Sequence, residues 1–349
     1  MADIPLPIEV EDLTPDWFSL ALGRPVTRVE VTDRHSGTTG RACIALEGER
    51  VPETVFVKLP PFDTAQRRFV DDVGMGITEA RFYRDLATEV PLRVPGVFFA
   101  GYEAGADGDR YVMVLEDLAA SGCRFPSPAD DDIAARALDI TEQLAPFHAR
   151  YWESDRFRDG DLAWVAPKGT GRGDGGATFV QTALDRLADR LPDGFVALAE
   201  LYVAHSRDIV RMYGEGARTL VHGDSHLGNL FVDGDRTGFL DWAMLGHAPG
   251  MRDLTYVLTN SVPTEVRRAS ERALVARYCE LLAVHGVEFP FADAWEQYRL
   301  FSVYSWVAAT CTAAMGSKWQ PEHVGLGGTA RATVAAMDLD ALGLLHERL

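Results

Sequence analysis

The feature that most constrains this chain is the segment VHGDSHLGNLFVDGDRTGFLDW, which runs from Val221 to Trp242. It places Asp224 and Asn229 five residues apart, and it follows a short apolar run with Asp241. The stretches TLV, LFV and TGFL around these residues are short and apolar, which is typical of buried strands. Gly223 precedes Asp224, so the backbone can turn sharply there and expose the carboxylate. The segment predicts short paired strands that hold two carboxylates and one amide close together.

Two carboxylates and an amide supply hard oxygen atoms, which are the ligands that Mg²⁺ prefers, and Mg²⁺ also binds substrate phosphates. Phosphoryl transfer requires this set of side chains. One aspartate orients the acceptor hydroxyl or takes its proton, while an asparagine and a second aspartate hold the metal against the nucleotide phosphates. The segment therefore indicates phosphoryl transfer from a nucleotide to a hydroxyl group.

The same chemistry requires further parts upstream, and the chain contains a candidate for each part in the expected order. A lysine on the third strand should reach the phosphates, a helical glutamate should pair with it, and a loop between the first two strands should cover the phosphates. A strand that ends in a connector should offer backbone groups to adenine. The candidates are Lys58 in TVFVKL, Glu79 at the start of the next helix, Thr38, Thr39 and Gly40 in the loop, and Glu116 and Leu118 in the connector.

The order of secondary structure along the chain predicts an α+β fold. Thr14-Pro15-Asp16 opens a short helix, with threonine as the cap and proline in the first turn. Five apolar runs follow, and a helical pattern from Ile77 to Val90 separates the third run from the fourth. These runs are VTRVEVTD, ACIAL, TVFVKL, VPGVFFAGY and YVMVLEDL. We predict a five-stranded antiparallel sheet that carries one major helix.

The chain becomes mainly helical after Leu118, and this change predicts two lobes. Residues 1–117 would form an N-terminal nucleotide-binding lobe. Residues 118–349 would form a helical C-terminal lobe that contains the catalytic loop 221–242 and the acceptor site.

The acceptor is expected between two helices of the second lobe, Ala129–Trp152 and Phe291–Met315. The segment PKGTGRGDGGA, from Pro167 to Ala177, is rich in glycine and is predicted to be a mobile loop that could close over the acceptor as a lid. It is not a phosphate-binding P-loop, because it lacks a GK[ST] ending and does not follow a strand.

Taken in order, these motifs resemble the aminoglycoside phosphotransferase family and its ecdysteroid-kinase-like relatives, which share a two-lobed protein-kinase-like fold. The resemblance is carried by HGDSHLGNLFVD, GFLDW and RDLTYVL, with VKL and TEARFYRDL upstream. It extends from about Val26 to about Arg348. Two departures stand out: Ser225 occupies a position where the family often has leucine, and the phosphate loop has no GxGxxG.

The resemblance implies a role for each candidate residue. Asp224 would be the catalytic base, Asn229 and Asp241 would bind Mg²⁺, and Lys58, held by Glu79, would contact the phosphates. The backbone amides of Thr38, Thr39 and Gly40 would cover the phosphates. The donor would be ATP or GTP, and the acceptor a hydroxylated small molecule such as an aminoglycoside, a sugar, an amino alcohol or a sterol-like compound.

Four further residues near these motifs are expected to support the site. His222 is predicted to pack beneath the catalytic loop, and Asp253 to brace that loop or cap a helix. His148 is predicted to be a satisfied core histidine. His226 either supports the loop or lies near the substrate, and the sequence leaves both readings open.

Composition excludes some partners. The formal net charge is −18, which disfavours nucleic acid and anionic membranes as partners. No apolar run is long enough to span a membrane, and the N-terminus lacks the pattern of a signal peptide, so a cytoplasmic protein is expected. The four cysteines have no CxxC spacing. The sequence does not indicate an oligomeric state.

Three other functions compete with that of a small-molecule kinase. His222, Asp224 and His226 could ligate zinc in a metal-dependent hydrolase, but Gly223 and Gly228 favour a loop over a strand there. A non-catalytic nucleotide-binding pseudokinase would be expected to lack at least one of the catalytic groups. This sequence contains a candidate residue for every one of them. A protein kinase would carry HRDxxxxN, DFG and APE motifs, which this sequence lacks.

Overall fold

The computed structural model describes residues 4–105, 108–169, 174–316 and 321–349. These residues form a mixed α+β protein, as the sequence predicted. They divide into two compact units. The first unit contains the described residues up to Phe125 together with Phe231–Met244, and the second contains those of Pro126–Leu230 and Leu245–Leu349.

The first unit is built on a five-stranded sheet in which every neighbouring pair of strands is antiparallel. Its strands are β1 (Val26–Ser36), β2 (Gly40–Gly48), β3 (Thr54–Leu59), β4 (Val97–Glu103) and β5 (Arg110–Glu116), in the order β1-β2-β3-β5-β4. All five predicted strands are present. Strands β1 and β2 extend further toward each other than the sequence indicated, which leaves three residues in the turn between them.

Three helices accompany this sheet. They are α1 (Pro15–Leu22), α2 (Thr64–Val73) and α3 (Met75–Asp85). The predicted cap of α1 is present, because Thr14 Oγ1 accepts a hydrogen bond from the N–H of Trp17 at 3.2 Å. Helix α2 was not predicted. Helix α3 ends at Asp85 rather than Val90, because Leu86 already leaves the helical backbone conformation.

The core of the first unit lies between α1 and one face of the sheet. Phe18 is fully buried there, as are Ile44 on β2 and Val57 on β3. Burial of one such side chain contributes roughly 1.5–3 kcal/mol. The remaining buried members are Val10, Leu13, Trp17, Val26, Ala42, Leu46, Val55, Leu59, Val112 and Val114.

The second unit is mainly helical. Its helices are α4 (Ile133–Tyr151), α5 (Arg156–Asp159), α6 (Asp174–Leu187), α7 (Phe195–Met212), α8 (Met251–Tyr256), α9 (Thr264–Val284), α10 (Phe291–Met315), α11 (Glu322–Asp338) and α12 (Ala341–Arg348). A π-helical turn, Val257–Ser261, follows α8 directly. No helix within the described ranges is long and apolar enough to cross a membrane.

Four short strands surround the motif segment. Strand β6 (Thr219–Val221) pairs with β9 (Gly246–Ala248), and β7 (Leu230–Asp233) pairs with β8 (Arg236–Phe239). The predicted pairing of short strands is therefore present.

The glycine-rich segment from Pro167 to Ala177 was predicted to be a loop, and its last four residues differ from that prediction. Residues 170–173 lie outside the described residues. Asp174–Ala177 form the first turn of α6 rather than a loop. Two glycines at the start of this helix explain why the sequence pattern suggested a loop, since glycine disfavours helix interiors.

Candidate active site

In the first unit, Lys58 on β3 and Glu79 on α3 form a buried ion pair. The lysine Nζ lies 2.6 Å from Oε1 and 2.6 Å from Oε2 of the glutamate. The side chains are only 5% and 0% exposed. Burial raises the pKa of Glu79 to about 7, although the adjacent Lys58 acts to lower it. The predicted pairing of these residues is present, and it holds the ammonium group in one place.

Asp241 lies against the same lysine. Its Oδ2 is 3.5 Å from Lys58 Nζ and 3.4 Å from Nη2 of Arg41 on β2. Arg41 is directly opposite Lys58 in the β2–β3 pair, so both side chains occupy one face of the sheet. Asp241 lies two residues beyond β8, and its φ of 62° is a left-handed conformation that is rare for residues other than glycine. The two cations and the carboxylate thus form a compact polar cluster.

Helix α3 contributes three neighbouring contacts to the position of Asp241. Glu79 fixes the lysine, while Phe82 stacks on Trp242 with ring centroids 3.9 Å apart. The hydroxyl of Tyr83 is hydrogen-bonded to the backbone of Asp241. The helix approaches the sheet closely at Gly76, where a Cβ atom would lie 1.9 Å from the ring of Tyr111. The segment of α3 from Glu79 to Tyr83 therefore fixes the positions of Asp241 and Trp242.

The predicted phosphate loop is a tight turn between β1 and β2. The N–H of Gly37 donates to the carbonyl of Thr39 at 3.0 Å, and Thr39 Oγ1 accepts from Arg41 Nε at 3.2 Å. Thr39 and Gly40 are buried, and Thr38 is half-buried. A Cβ atom at position 40 would lie 2.6 Å from the carbonyl oxygen of Pro60, so this strand end requires glycine.

The predicted adenine connector follows β5. The Glu116 carboxylate accepts hydrogen bonds from Arg93 Nη2 at 2.8 Å and from the N–H of Gly96 at 2.9 Å. Burial acts to raise the pKa of Glu116, but these two partners and Ser121 outweigh it and lower that pKa. The carbonyl of Leu118 accepts from the N–H of Cys123 at 2.9 Å. The Glu116 side chain is thus engaged within the first unit.

In the second unit, Asp224 and Asn229 are in direct contact. Asn229 Nδ2 lies 2.8 Å from the backbone carbonyl oxygen and 2.9 Å from Oδ2 of Asp224. Gly223 has a φ of 84°, which confirms the predicted sharp turn before the aspartate. Tyr256 is hydrogen-bonded to the Asp224 side chain, and His226 Nε2 lies 3.6 Å from its Oδ2. The carboxylate is therefore oriented from several sides.

Asp253 braces the loop that carries Asp224. Its Oδ2 accepts from the N–H of His222 at 2.6 Å and its Oδ1 from the N–H of Gly223 at 2.8 Å. Its backbone carbonyl accepts from Ser225 Oγ at 2.8 Å, which gives the unexpected serine a structural role. Burial acts to raise the pKa of Asp253, but the hydrogen bond and charge of His148 outweigh it, so that pKa is lowered.

His148 lies beneath Asp253 and is buried, as predicted. Its Nε2 is 3.3 Å from Asp253 Oδ2, and its Nδ1 is 2.7 Å from the Tyr278 hydroxyl. The network Tyr278–His148–Asp253 connects three helices to the loop.

One ring nitrogen of each of the two loop histidines accepts a hydrogen bond from the backbone. His222 Nδ1 accepts from the N–H of Asp224 at 3.3 Å, and His226 Nδ1 accepts from the N–H of Gly228 at 3.0 Å. Within the described part of the chain, no three His, Cys, Asp or Glu side chains are grouped so that they could hold a metal ion. The geometry therefore gives the hydrolase alternative no ligand set there.

A cavity of about 290 Å³ adjoins Asp224 and is formed within the second unit. Helix α10, one of the two helices between which the acceptor was expected, contributes to its wall. Helix α4 does not, and α11 and the π-helical turn take its place. The lining residues are Pro126, Ser127, Pro128, Asp224, His226, Leu227, Gly228, Tyr256, Asn260, Ser261, Ala309, Thr312, Val324, Gly325, Gly328 and Arg331.

Three of the residues around Lys58, Asp224 and the cavity were not predicted from the sequence. Arg41 could have been found from strand register, since it faces Lys58 once β2 and β3 are aligned. Tyr256 lies in the quoted motif RDLTYVL, but its contact with Asp224 depends on tertiary packing. Arg331 has no signal in the sequence, because α11 comes to the cavity only through helix packing.

Comparisons with known proteins identify the family of the chain and its fold. The model of the phosphotransferase enzyme family matches residues 31–301, and this range includes every predicted site residue. None of the curated proteins matches the chain.

Many solved structures resemble the chain in fold, and three of them illustrate the likeness. Choline kinase from Cryptosporidium parvum Iowa II has a TM-score of 0.57 at 8% identity, covering 97% of this chain and 95% of that one. Plasmodium vivax ethanolamine kinase has a TM-score of 0.53 at 11% identity, with 88% and 81% covered. The GDP complex of an aminoglycoside 2'-phosphotransferase-IIIa variant has a TM-score of 0.50 at 14% identity, with 93% and 91% covered. At these identities the likeness concerns the fold, and the predicted protein-kinase-like fold is confirmed.

Proposed function

Because this chain belongs to the phosphotransferase enzyme family, we propose that it transfers the γ-phosphoryl group of ATP or GTP to a hydroxyl group of a small molecule. The observation that carries the proposal is the position of Lys58 between two carboxylates, 2.6 Å from Glu79 and 3.5 Å from Asp241. Glu79 compensates the charge of the buried lysine. The further carboxylate of Asp241, which lies between Lys58 and Arg41, supports a site in which cations and a metal-binding carboxylate meet nucleotide phosphates.

The first unit is proposed to bind the nucleotide. Lys58 contacts the phosphates, and Glu79 keeps the ammonium group from turning away. The backbone amides of Thr38, Thr39 and Gly40 cover the phosphates. The connector that contains Glu116 and Leu118 offers backbone groups to the base.

Asn229 and Asp241 are proposed as ligands of Mg²⁺, and their donor atoms fit this ion. Asp241 supplies carboxylate oxygens, which are hard ligands. Asn229 uses Nδ2 to donate to Asp224, and this orientation presents its Oδ1 as a ligand atom. When bound, the ion would neutralise charge that develops on the phosphates.

Asp224 is proposed to accept a hydrogen bond from the acceptor hydroxyl and to take its proton. The hydroxyl oxygen forms a bond to the γ-phosphorus as the bond from that phosphorus to the bridging oxygen breaks, and a nucleoside diphosphate leaves. Catalysis is then mainly positioning and electrostatics, because this transition state is loose. The contacts from Asn229 and Tyr256 support this role, since they orient the carboxylate beside the cavity.

A nucleotide-consumption screen tests the proposal. The protein is incubated with ATP or GTP, Mg²⁺ and a panel of aminoglycosides, sugars, amino alcohols, sterol-like compounds, macrolides and hydroxy acids. We expect at least one acceptor to stimulate consumption, and Asp224→Asn to abolish that stimulation. The exposed Asp193→Asn serves as a matched control. Stimulation that persists undiminished in Asp224→Asn would contradict the proposal, and so would a nucleotide that fails to bind.

A further inference from the structure

The cavity beside Asp224 contains a second charged side chain, Arg331 on α11. Its Nε donates to the carbonyl oxygen of Asn260 at 2.6 Å. This is its one hydrogen bond to any residue that the structure describes, so Nη1 and Nη2 have no partner among those residues. Burial lowers the pKa of Arg331, and no carboxylate of a described residue opposes that effect. Within the described part of the chain, the cavity therefore holds a guanidinium group whose charge is not balanced by an ion pair.

The position of Arg331 depends on two glycines of α11. A Cβ atom at Gly325 would lie 3.1 Å from Ala313 Cα on α10, and one at Gly328 would lie 3.3 Å from the side chain of Asn260. The absence of side chains lets α11 approach both α10 and the π-helical turn. This close approach brings the Arg331 guanidinium to the Asn260 carbonyl.

Few lining residues of the cavity carry a charge. Among those that the structure describes, Asp224 and Arg331 are the only ones with a formal charge at neutral pH. Asp224 already accepts hydrogen bonds from Asn229 and Tyr256. A cationic acceptor would therefore meet the arginine with no additional carboxylate in the wall to offset the repulsion.

We infer that the acceptor is a small hydroxycarboxylic acid, whose carboxylate binds Arg331 while its hydroxyl faces Asp224. This inference rests on the proposed function. The planar guanidinium matches a carboxylate through two parallel hydrogen bonds. The cavity volume of about 290 Å³ is at the lower end of ligand pockets, which also favours a small acceptor. Arg331 lies beyond residues 31–301, so it is a feature of this chain outside the part that the family model covers.

Matched acceptors test this inference directly. Each set shares a hydroxylated carbon skeleton and differs in one terminal group, as in glycerate, glyceramide and 3-amino-1,2-propanediol. A second set is built in the same way on quinate. The measurement is kcat/KM for each member with Mg²⁺ and the preferred nucleotide. We expect the carboxylate member to be preferred over the amide and the ammonium members.

Variants of the cavity wall show whether Arg331 causes the preference. In Arg331→Gln, the ratio of kcat/KM for the acid to that for its amide should fall about 10- to 100-fold, which is the range for a charge-assisted hydrogen bond. Arg331→Lys should retain part of the ratio. Thr312→Asp, at a half-buried position of the same wall, adds a carboxylate and should move the preference toward the ammonium member.

Thermal unfolding with quinate and glycerate provides a second readout that does not require turnover. We expect both acids to raise Tm in the wild-type protein, and Arg331→Gln to remove the increase. A preference for the amide or the ammonium member would overturn the inference and leave the proposed function standing. An equal loss for all members in Arg331→Gln would also overturn it, as would the absence of both turnover and Tm increase with the acids. Failure of the proposed function itself appears separately, as nucleotide consumption that does not depend on Asp224.

Discussion

Asn229 donates from one amide nitrogen to both the backbone carbonyl and the carboxylate of Asp224, at 2.8 and 2.9 Å. The same side chain therefore fixes the rotamer of the proposed base and the direction of its own Oδ1. Orientation of the base and ligation of the metal are consequently two separable properties of one residue.

Two substitutions at Asn229 separate these properties. Asn229→Asp retains an oxygen ligand but loses the donors that orient Asp224, so we expect kcat to fall up to about 100-fold while the Mg²⁺ dependence changes little. Asn229→Leu loses both, so kcat should fall and half-maximal activity should require more Mg²⁺. Steady-state kinetics over a Mg²⁺ titration measure both quantities. If Asn229→Asp kept full kcat, the hydrogen bonds to Asp224 would have no role in catalysis.

The buried pair of Lys58 and Glu79 predicts a stability effect as well as a functional one. Lys58→Met should weaken ATP binding and lower the free energy of unfolding by about 3–5 kcal/mol, because it leaves the Glu79 carboxylate buried without its partner. The double variant Lys58→Met, Glu79→Gln should recover much of the stability but not the ATP affinity. Urea unfolding and calorimetric titration with ATP test these outcomes. An unstable double variant would show that packing, rather than charge, dominates at this position.

Arg41 on β2 lies directly opposite Lys58 on the neighbouring strand β3. Both side chains contact Oδ2 of Asp241. Its side chain is 37% exposed, so solvent screens its charge more than that of Lys58. We expect Arg41→Gln to weaken nucleotide binding several-fold, and less than Lys58→Met does. Arg28→Gln on β1, whose arginine is 61% exposed, is the matched control and should leave the affinity unchanged. If both arginine variants weakened nucleotide binding equally, the loss would come from the change in net charge and not from the position of Arg41.

The sequence predicted those parts of the site that depend on local pattern. Lys58 was found because it interrupts an apolar strand, and Glu79 because it lies near the start of the helix predicted from Ile77. Gly223 was assigned to a sharp turn, and its φ of 84° agrees. These features require only the strand order and residue chemistry.

The parts that were missed depend on packing between distant segments. Arg41 becomes visible only when the β2–β3 register is known, and Arg331 only when α11 packs against α10. Helix α2 was missed although Asp63 caps it with hydrogen bonds to the N–H groups of Ala65 and Gln66. Its mostly polar sequence, TAQRRFVDDV, has a single buried residue, Val70, so the apolar periodicity that reveals helices is weak there.

Asp253 connects the stability of the second unit to the proposed chemistry. Asp253→Asn replaces one acceptor oxygen by a donor that must face the N–H of His222 or Gly223. We expect a loss of about 2–4 kcal/mol in the free energy of unfolding at pH 7 and a reduced kcat from misplacement of Asp224. Because the pKa of Asp253 is lowered in the folded state, its stabilisation is present above its unfolded value and is lost as pH falls through the lower folded value. The difference between wild type and variant, measured by urea unfolding, should therefore shrink in strong acid. The exposed Asp193→Asn should show no such dependence.

Lys168 gives the clearest pH dependence in the second unit. Burial lowers its pKa to about 8 from an ordinary value of 10.5, with a smaller contribution from the charge of Arg252. For a base whose folded pKa is depressed, the charged form is disfavoured in the folded state. The folded protein is consequently penalised below pH 8, and the penalty disappears as pH rises from 8 to 10.5. A depression of this size corresponds to about 3 kcal/mol.

We therefore expect Lys168→Met to be more stable than wild type at pH 7, by up to about 3 kcal/mol. Methionine keeps the aliphatic packing over Gly246, where the lysine chain lies so close that a Cβ atom would be 2.4 Å from Lys168 Cε. The advantage should be nearly gone at pH 10.5, where the wild-type lysine is neutral in the folded state and about half neutral in the unfolded state. Urea unfolding of both proteins at pH 7, 9 and 10.5 measures the difference. The exposed Arg110→Met is the control, because arginine stays charged over this range. A Lys168→Met protein that is no more stable than wild type at pH 7 would show that the ammonium group makes compensating interactions.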